Sequence, residues 1–512
     1  MKAEQKKIVL ATANARYSHT SLALRSLLAN LREFEKDAVL LEFTITDRPA
    51  DAAEAILSRE PRFVLLSVYL WNAVFLNEVA SIIRAVAPAV TIVLGGPEVS
   101  FEDDLPPVAQ WAHHIIAGEG ELLLPALLAA LAAGRPFARF TRATPPDLSG
   151  IALPLRLYTD EDIRHRVLYV ESSRGCAFGC EFCLSCLTDR VRFFDPVALM
   201  PALEDLWNRG ARKFKFIDRT IHAGKAERIL RFFLDRNVEG LFVHFEIVPD
   251  HLTDPLFDLL AKFPSGAVQL EAGVQTFDPE VAARVGRKQD MDRTLRNLQR
   301  LIATTGVHIH SDLVAGLPGE TMAGFADGFN RLLATGVHEI QVGILKRLRG
   351  APIDRHTAAF EMVYRNTPPY DVLQNRDIPF ADMQRLKRFA RFFDLVFNSG
   401  NFRRTAPSLW AADTPFNGFM RFSDWMHDAV HNTADISLDR LATLIFRYRT
   451  EILGHATGNT ADGLLADFVS AGRTRFPACV REAATVPLPT GRPGRRSALL
   501  PPRQERRKGG VQ

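Results

Sequence analysis

Residues 174–183 read Arg-Gly-Cys-Ala-Phe-Gly-Cys-Glu-Phe-Cys, with thiols at Cys176, Cys180 and Cys183 separated by three residues and then two. A C-x3-C-x2-C loop can wrap a cubane cluster while supplying three thiolates, so one iron of a 4Fe-4S cluster is left open to a substrate. Structural zinc sites close all four positions, and ferredoxin clusters also take four thiolates. Five cysteines in 512 residues rarely crowd this way by chance, and the spacing marks a metal site. Cys186 extends the run to C-x3-C-x2-C-x2-C. A fourth thiolate would close the cluster, so two classes of function stand side by side: an enzyme with an open iron, and a four-cysteine electron-transfer or sensor protein.

Working outward, the loop leaves the end of a β-rich run at 167–171. Further strand patterns follow at 213–217, 241–248, 268–274, 307–314 and 339–345. Segments of helical length and period lie between them at 196–209, 225–237, 254–262, 279–304 and 322–335. Six such βα units predict a partial (β/α)6 TIM-type barrel, whose chemistry sits at the carboxyl ends of the strands. Those ends carry Asp218, then Glu246 and Asp250, then Glu271-Ala272-Gly273-Val274-Gln275. By the period of two, Glu271 and Gln275 point together across a glycine gap. The fifth end runs from Asp312 into Gly316-Leu317-Pro318-Gly319-Glu320-Thr321, a turn opening a helix whose positive end favours a carboxylate. Lys346, Arg347 and Arg349 follow the sixth.

Toward the N-terminus, apolar runs at 8–12, 38–43, 63–68, 91–94 and 114–117 alternate with helical stretches at 21–31, 50–58, 75–86 and 121–133. That alternation predicts a parallel sheet covered on both faces, a flavodoxin-like (Rossmann-like) doubly wound α/β domain. Ligands in that architecture sit beyond the strand ends, here Asn14, Ser67 to Asn72, Gly95-Gly96-Pro97-Glu98 and Gly118-Glu119-Gly120-Glu121. Glycines there let a broad planar ligand approach the backbone. Pro145-Pro146 and Pro154 punctuate a connector.

Toward the C-terminus strand signals fade after Tyr370. Aromatic-rich helices are expected at 380–398, 408–429, 437–453 and 460–471, the first too apolar for a single narrow stripe. His427 and His431, four apart, read as packing or surface histidines, as does His455. The organisation expected is 1–134, a linker 135–165, a barrel 166–358, a mostly α-helical domain 366–480 and a basic tail 481–512.

Close to half the residues are apolar, enough for about three cores at a prior of ~150 residues each. The net charge of +4 is set by the tail: Gly491 to Gln512 contributes +6, leaving −2 on the rest. No nucleic-acid face is indicated apart from that tail. No apolar run reaches membrane-spanning length and the start does not read as a signal peptide, so a cytoplasmic, reducing compartment is expected.

The cysteine loop with an aromatic before its last Cys, the Glu-x-Gly-x-Gln strand and the Gly-Leu-Pro-Gly-Glu-Thr turn resemble the radical S-adenosylmethionine (radical SAM) superfamily. The Gly-Gly-Pro and Gly-Glu-Gly-Glu turns look like the cobalamin (B12)-binding module of its cobalamin-dependent branch. Residues 67–72, Arg16-Tyr17-Ser18-His19 and Pro369-Tyr370 onward are similar to a bacterial group that adds a C-terminal helical domain of unknown function. The resemblance implies a 4Fe-4S cluster on Cys176, Cys180 and Cys183, with Phe182 near the adenine of S-adenosylmethionine. Reductive cleavage of that cofactor would give a 5′-deoxyadenosyl radical. Glu246, Glu271, Gln275, Gly316 and Glu320 are candidates for holding cofactor or substrate. Asn14, Ser67, Gly95, Gly96, Gly118 and Glu119 are those for cobalamin. The Asp-x-His-x-x-Gly loop of many cobalamin proteins is absent, so cobalamin without a histidine on cobalt is expected. The resemblance implies a methyltransferase acting on an unactivated carbon, with ring rearrangement, cyclisation or RNA modification as alternatives. A reductant such as flavodoxin or ferredoxin and a small-molecule substrate are the expected partners.

Overall fold

Seven consecutive buried residues, Ile8–Asn14, form the first strand, β1. A strand buried on both faces belongs inside a parallel sheet, and β1 pairs in parallel with β2 (Ala38–Thr44) and β3 (Phe63–Ser67). The computed structural model describes residues 7–489 except 189, 222, 237, 432 and 434. The chain folds into two compact units. The first comprises the residues up to Arg219 together with Lys346–Asp354 and Tyr364–Asp371, and the second comprises Thr220–Leu345, Arg355–Val363 and the residues from Val372 onward.

In the first unit, β4 (Thr91–Gly95), β5 (His114–Ala117) and β6 (Phe140–Arg142) extend the sheet to the order β2-β1-β3-β4-β5-β6. The first five strands are those of the doubly wound reading. The sixth was not foreseen: Phe140–Arg142 lies inside the expected connector and pairs in parallel with β5. That connector also carries α5 (Asp160–His165), held by a reciprocal cap between Thr159 and Asp162. Helices α2 (Pro49–Leu57) and α3 (Ala73–Val86) pack on one face of the sheet, and α1 (Leu22–Ala29) and α4 (Leu123–Ala132) on the other. Strands β7 (Leu168–Val170) and β10 (Lys213–Phe216) pair in parallel, with α6 (Pro196–Asn208) between them. A two-residue ribbon, β8 (Ser173–Arg174) against β9 (Arg192–Phe193), closes the base of the cysteine loop.

The second unit begins with α7 (Ala223–Asp235) and holds four parallel strands, β11 (Phe242–Ile247), β12 (Val268–Gln275), β13 (His308–Ala315) and β14 (Glu339–Ile344). Helix α8 (Asp254–Leu260) follows β11, and α11 (Met322–Ala334) follows β13. The expected helix 279–304 is two, α9 (Pro279–Arg284) and α10 (Met291–Thr304), because Asp290 caps a new start by accepting from the Arg293 N–H.

The C-terminal region is helical: α12 (Phe380–Phe393), α13 (Pro415–Val430), α14 (Leu438–Arg447), α15 (Thr457–Ser470) and α16 (Ala478–Ala483). Its core is aromatic, with Phe329, Phe389, Phe393, Phe416 and Phe419 in mutual edge and stacked contact. The stretch 408–429 is not one helix. A short 3-10 turn over Ala406–Trp410 precedes α13, which starts at Pro415, where a missing N–H costs nothing. His431 sits at the end of α13 with φ 52°, off the helix, so it does not share a face with His427. Among the described residues no helix is long and apolar enough to cross a membrane.

Candidate functional site

A cavity of about 560 Å³ opens at the carboxyl ends of the N-terminal sheet. Its apolar part runs between the sheet (Leu65, Val93, Ile116) and helices α1 and α4 (Leu24, Leu27, Leu124). Ser67, Gly95, Gly96, Gly118 and Glu119 line it as expected of strand-end residues. Asn14 is not among the lining residues described. Its amide is spent on the His19 carbonyl and on Glu42, at 3.1 and 3.0 Å. The lining described contains no histidine.

The glycine turns are built for close approach. Gly96 has φ +102°, and any Cβ there would collide with the Val68 carbonyl oxygen. The Ser100 hydroxyl donates to Gly96 O at 2.9 Å and accepts weakly from the Gly118 N–H at 3.4 Å, joining the two turns. Beside them Tyr69 and Trp71 stack with centroids 4.5 Å apart, half of Trp71 remaining exposed.

Glu171, Arg174, Leu184, Leu187 and Ile217 also line this cavity. They come from the segment that carries the thiols. Arg174 pairs with Glu119 at 2.8 Å, Glu121 at 2.7 Å and Glu171 at 3.0 Å, and Arg192 also contacts Glu119. The guanidinium holds Glu121 below the usual carboxylate range against its burial. Burial outweighs Arg174 at Glu171, whose carboxyl is pushed up to about 7. Reading the strand ends one at a time concealed this cluster, because Arg174 was read only as the start of the cysteine motif.

The loop itself is tightly turned. Gly175 has φ +94° and lies against the Arg190 carbonyl, so no side chain fits there. The Cys183 N–H donates to Cys180 O at 3.0 Å and the Cys186 N–H to Cys183 O at 3.2 Å. None of the four cysteines is in a disulfide, and Cys180 is buried. Cys183 Sγ accepts from the Ser185 N–H at 3.4 Å. Burial raises the Cys176 thiol, with the Cys183 and Cys180 thiols adding to it, and burial raises Cys186 with the same two neighbours. Among the described residues no three His, Cys, Asp or Glu side chains converge on one ion. A single ion needs every donor ~2.3 Å from one point, whereas a cubane takes one thiolate per iron around its corners. The C-x3-C-x2-C spacing suits the second. Phe182 lies between these thiols, partly buried.

In the second unit the register aligns Glu246, Glu271, His310 and Glu339 across β11 to β14. Gln275 departs from the expected geometry. The pairing slips between Gly273 and Gln275, Gln275 takes φ 74°, and its amide folds back over Gly273. The glycine gap is filled by this amide rather than left open, since nothing but a hydrogen stands on Gly273. Gly316 accepts from the Asn375 amide at 3.2 Å. Glu320 is buried, not at an open mouth: Oε1 accepts from the Thr276 hydroxyl at 2.6 Å, and burial pushes its carboxyl up to about 8. At the start of α11 the Gly324 N–H is capped by the Thr321 hydroxyl. Arg347 and Arg349 belong to the first unit, paired with Asp104 and Glu98, and do not dress the last strand.

A polar stripe escaped the sequence reading. His308, His310 and Asp312 share one face of β13. His308 Nε2 lies 2.8 Å and His310 Nδ1 3.8 Å from Glu339, and His310 Nε2 lies 3.3 Å from Asp312. His244 lies 3.1 Å from Glu271. The alternation His-x-His-x-Asp in a strand that must be buried was the available signal.

A glycine-lined cavity on a doubly wound sheet, walled in part by residues flanking a three-thiol loop, defines a class of protein that works on a bound cofactor. Residues 8–128 match the B12 binding domain, 170–332 the radical SAM superfamily and 358–486 a protein family of unknown function, DUF4080. The chain thus carries a B12-binding domain, a radical SAM domain and a helical region of that third family. These are domains that work with cobalamin, and with a 4Fe-4S cluster and S-adenosylmethionine.

Among curated relatives, the 2-(S-pantetheinyl)-carbapenam-3-carboxylate methyltransferase of Streptantibioticus cattleyicolor is 25% identical over 360 residues, 58% of this chain and 48% of that protein. The cobalamin-dependent radical SAM methyltransferase TokK of Streptomyces tokunonensis is 28% identical over 340 residues, with the same shares. The chain spans about half the length of these relatives. The radical SAM methyltransferase TsrM from Kitasatospora setae, solved with tryptophan and a SAM analogue, shares the fold at TM-score 0.57 and 17% identity. That match covers 71% of this chain and 80% of the other.

Proposed function

We propose that the chain is a cobalamin-dependent radical SAM methyltransferase acting on an unactivated carbon of a small molecule. It would work in the cytoplasm with a flavodoxin- or ferredoxin-type reductant. The observation that carries this reading is the cavity whose wall is shared by the glycine turns and by Glu171, Arg174, Leu184 and Leu187 of the cysteine segment. The similarity to two methyltransferases supports the reaction class.

When bound, the cluster supplies an electron and an open iron for S-adenosylmethionine, and cobalamin supplies a carrier for the methyl group. Cys176, Cys180 and Cys183 would hold the cluster: they stand on one tight loop and none is in a disulfide. Phe182 would pack beside the adenine. Gly95, Gly96, Gly118 and Glu119, which line the cavity, would seat the corrin. The apolar slot between Leu65, Val93, Ile116 and the helices excludes water and accepts an uncharged arm of the ligand. With no histidine among the lining residues described, the pocket wall presents no imidazole to cobalt. Glu246, Glu271 and Gln275 would orient S-adenosylmethionine or substrate through hydrogen bonds, and Gly316 and Glu320 shape the turn behind them.

Anaerobic reconstitution followed by chromatographic detection of 5′-deoxyadenosine and S-adenosylhomocysteine tests this. Parent and Cys186→Ala should consume S-adenosylmethionine, and Cys180→Ala should lose the cluster and all turnover. Loss of the cluster on Cys186→Ala would turn the reading to a four-thiolate electron carrier.

A further inference from the structure

The chain that follows the last strand of the second unit returns to the first. Lys346–Asp354 and Tyr364–Asp371 both fold there, and the second piece lies within the residues matched by the family of unknown function. They form one strap. Lys346 bridges Asp371 in antiparallel fashion, and the Arg347 N–H donates to Tyr370 O at 3.0 Å.

Part of the strap grips the Gly95-Gly96-Pro97-Glu98 turn. Arg349 Nε donates to Glu98 Oε1 at 3.1 Å, and the Tyr370 hydroxyl donates to the same oxygen at 2.7 Å. Arg349 also donates to the Tyr370 hydroxyl at 2.9 Å and to Asp104 O at 2.7 Å. Glu98 and Arg349 are 5% and 9% exposed. Further along, the Ile353 N–H donates at 3.0 Å to the carbonyl of Glu181, which stands between Cys180 and Cys183. One short piece of chain therefore holds both the turn that lines the cavity and the loop that carries the thiols.

A buried carboxylate is stable only while a cation and donors meet it. With the strap removed, Glu98 would swing to water and draw Gly96 and Pro97 with it, since the turn is one continuous backbone held to Val68 by the Glu98 N–H at 3.3 Å. We propose that the strap is a positioning device for the corrinoid. Arg349 and Tyr370 fix the Gly-Gly-Pro turn, and Ile353 fixes the cysteine loop to the same scaffold. This gives a role to the opening segment of the helical family region, and it rests on the reading of the cavity as the cobalamin site.

The test titrates the full chain with hydroxocobalamin, following the visible spectrum for Kd, with melting temperature and iron content measured alongside. Arg349→Met, which removes the cation, should raise Kd at least about tenfold, and Tyr370→Phe, which leaves Arg349 on Glu98, about threefold. Arg349→Lys should recover part of the loss. Tyr370→Phe removes one oxygen, so it keeps the test open if Arg349→Met fails to fold. A parent that binds while folded variants bind with the parent's Kd overturns the strap's role, even if their melting temperatures fall. A parent that binds no corrinoid overturns the assignment of the cavity, and the strap's role with it.

Discussion

Glu320 stands in the Gly-Leu-Pro-Gly-Glu-Thr turn with 1% of its surface exposed, and Oε2 has no hydrogen-bond partner. Its carboxyl is pushed from the ordinary range to about 8, by burial first and with Asp278 adding to it. The folded chain therefore keeps a proton there that the unfolded chain gives up above pH ~4.3. Between that pH and about 8 the unfolded state binds fewer protons, so this residue's contribution falls as pH rises. Glu320→Gln keeps the acceptor for Thr276 and removes the titration. Its stability relative to the parent, followed by thermal unfolding, should rise from pH 5 to pH 8 by on the order of a few kcal/mol at most. A difference that does not change with pH would sink this account. The motif was legible in the sequence as a turn opening a helix. The burial was not, because it depends on Thr276 and on helices packed behind the turn. The cysteine loop was the opposite case: its chemistry is carried by spacing along a few residues, so it could be read without the fold.

At the scale of elements, strands β11 to β14 show what a period-two pattern carries and what it leaves out. Their existence and order follow from short β-rich runs between helices. Their inner faces were expected to speak only at the ends, yet His244, Glu271, His308, His310 and Glu339 lie within the strands. Glu339 is 2% exposed and serves two imidazoles at once. Glu339→Ala leaves both without that carboxylate in a buried setting, so it should cost roughly 3–5 kcal/mol, while Glu339→Gln should cost less. Urea unfolding of the two variants measures it, and equal losses would mean that packing, not charge, sets the value. Against its burial, Asp312 first, and then this carboxylate and Glu271, raise His310 above its ordinary range. The bulge at Gly273 and Gln275 was beyond the pattern, because alternation carries no mark of an inserted residue unless the partner strand's register is known.

At the scale of the molecule, sequence order misplaces one segment. Arg347 and Arg349 follow the sixth strand in the chain, but they fold into the first compact unit with their carboxylate partners Asp104 and Glu98, about 250 residues earlier. No local pattern marks a return over that distance. What decides it is charge: a basic run after β14 meets an acidic turn after β4 and buries with it. This dependence can be switched off. In the full chain, Glu98→Gln removes the anion that Arg349 and Tyr370 both contact, and should destabilise by about 2 kcal/mol. A chain ended after Arg219 lacks the strap altogether, so its Glu98 has neither Arg349 nor Tyr370 to meet it. There Glu98 turns to water with no strap partner to lose, and the same substitution should be close to neutral. Thermal unfolding of the four proteins reads the difference directly. Equal destabilisation in both lengths would mean that Glu98 is held by its own domain, and that the strap covers the turn without fixing it.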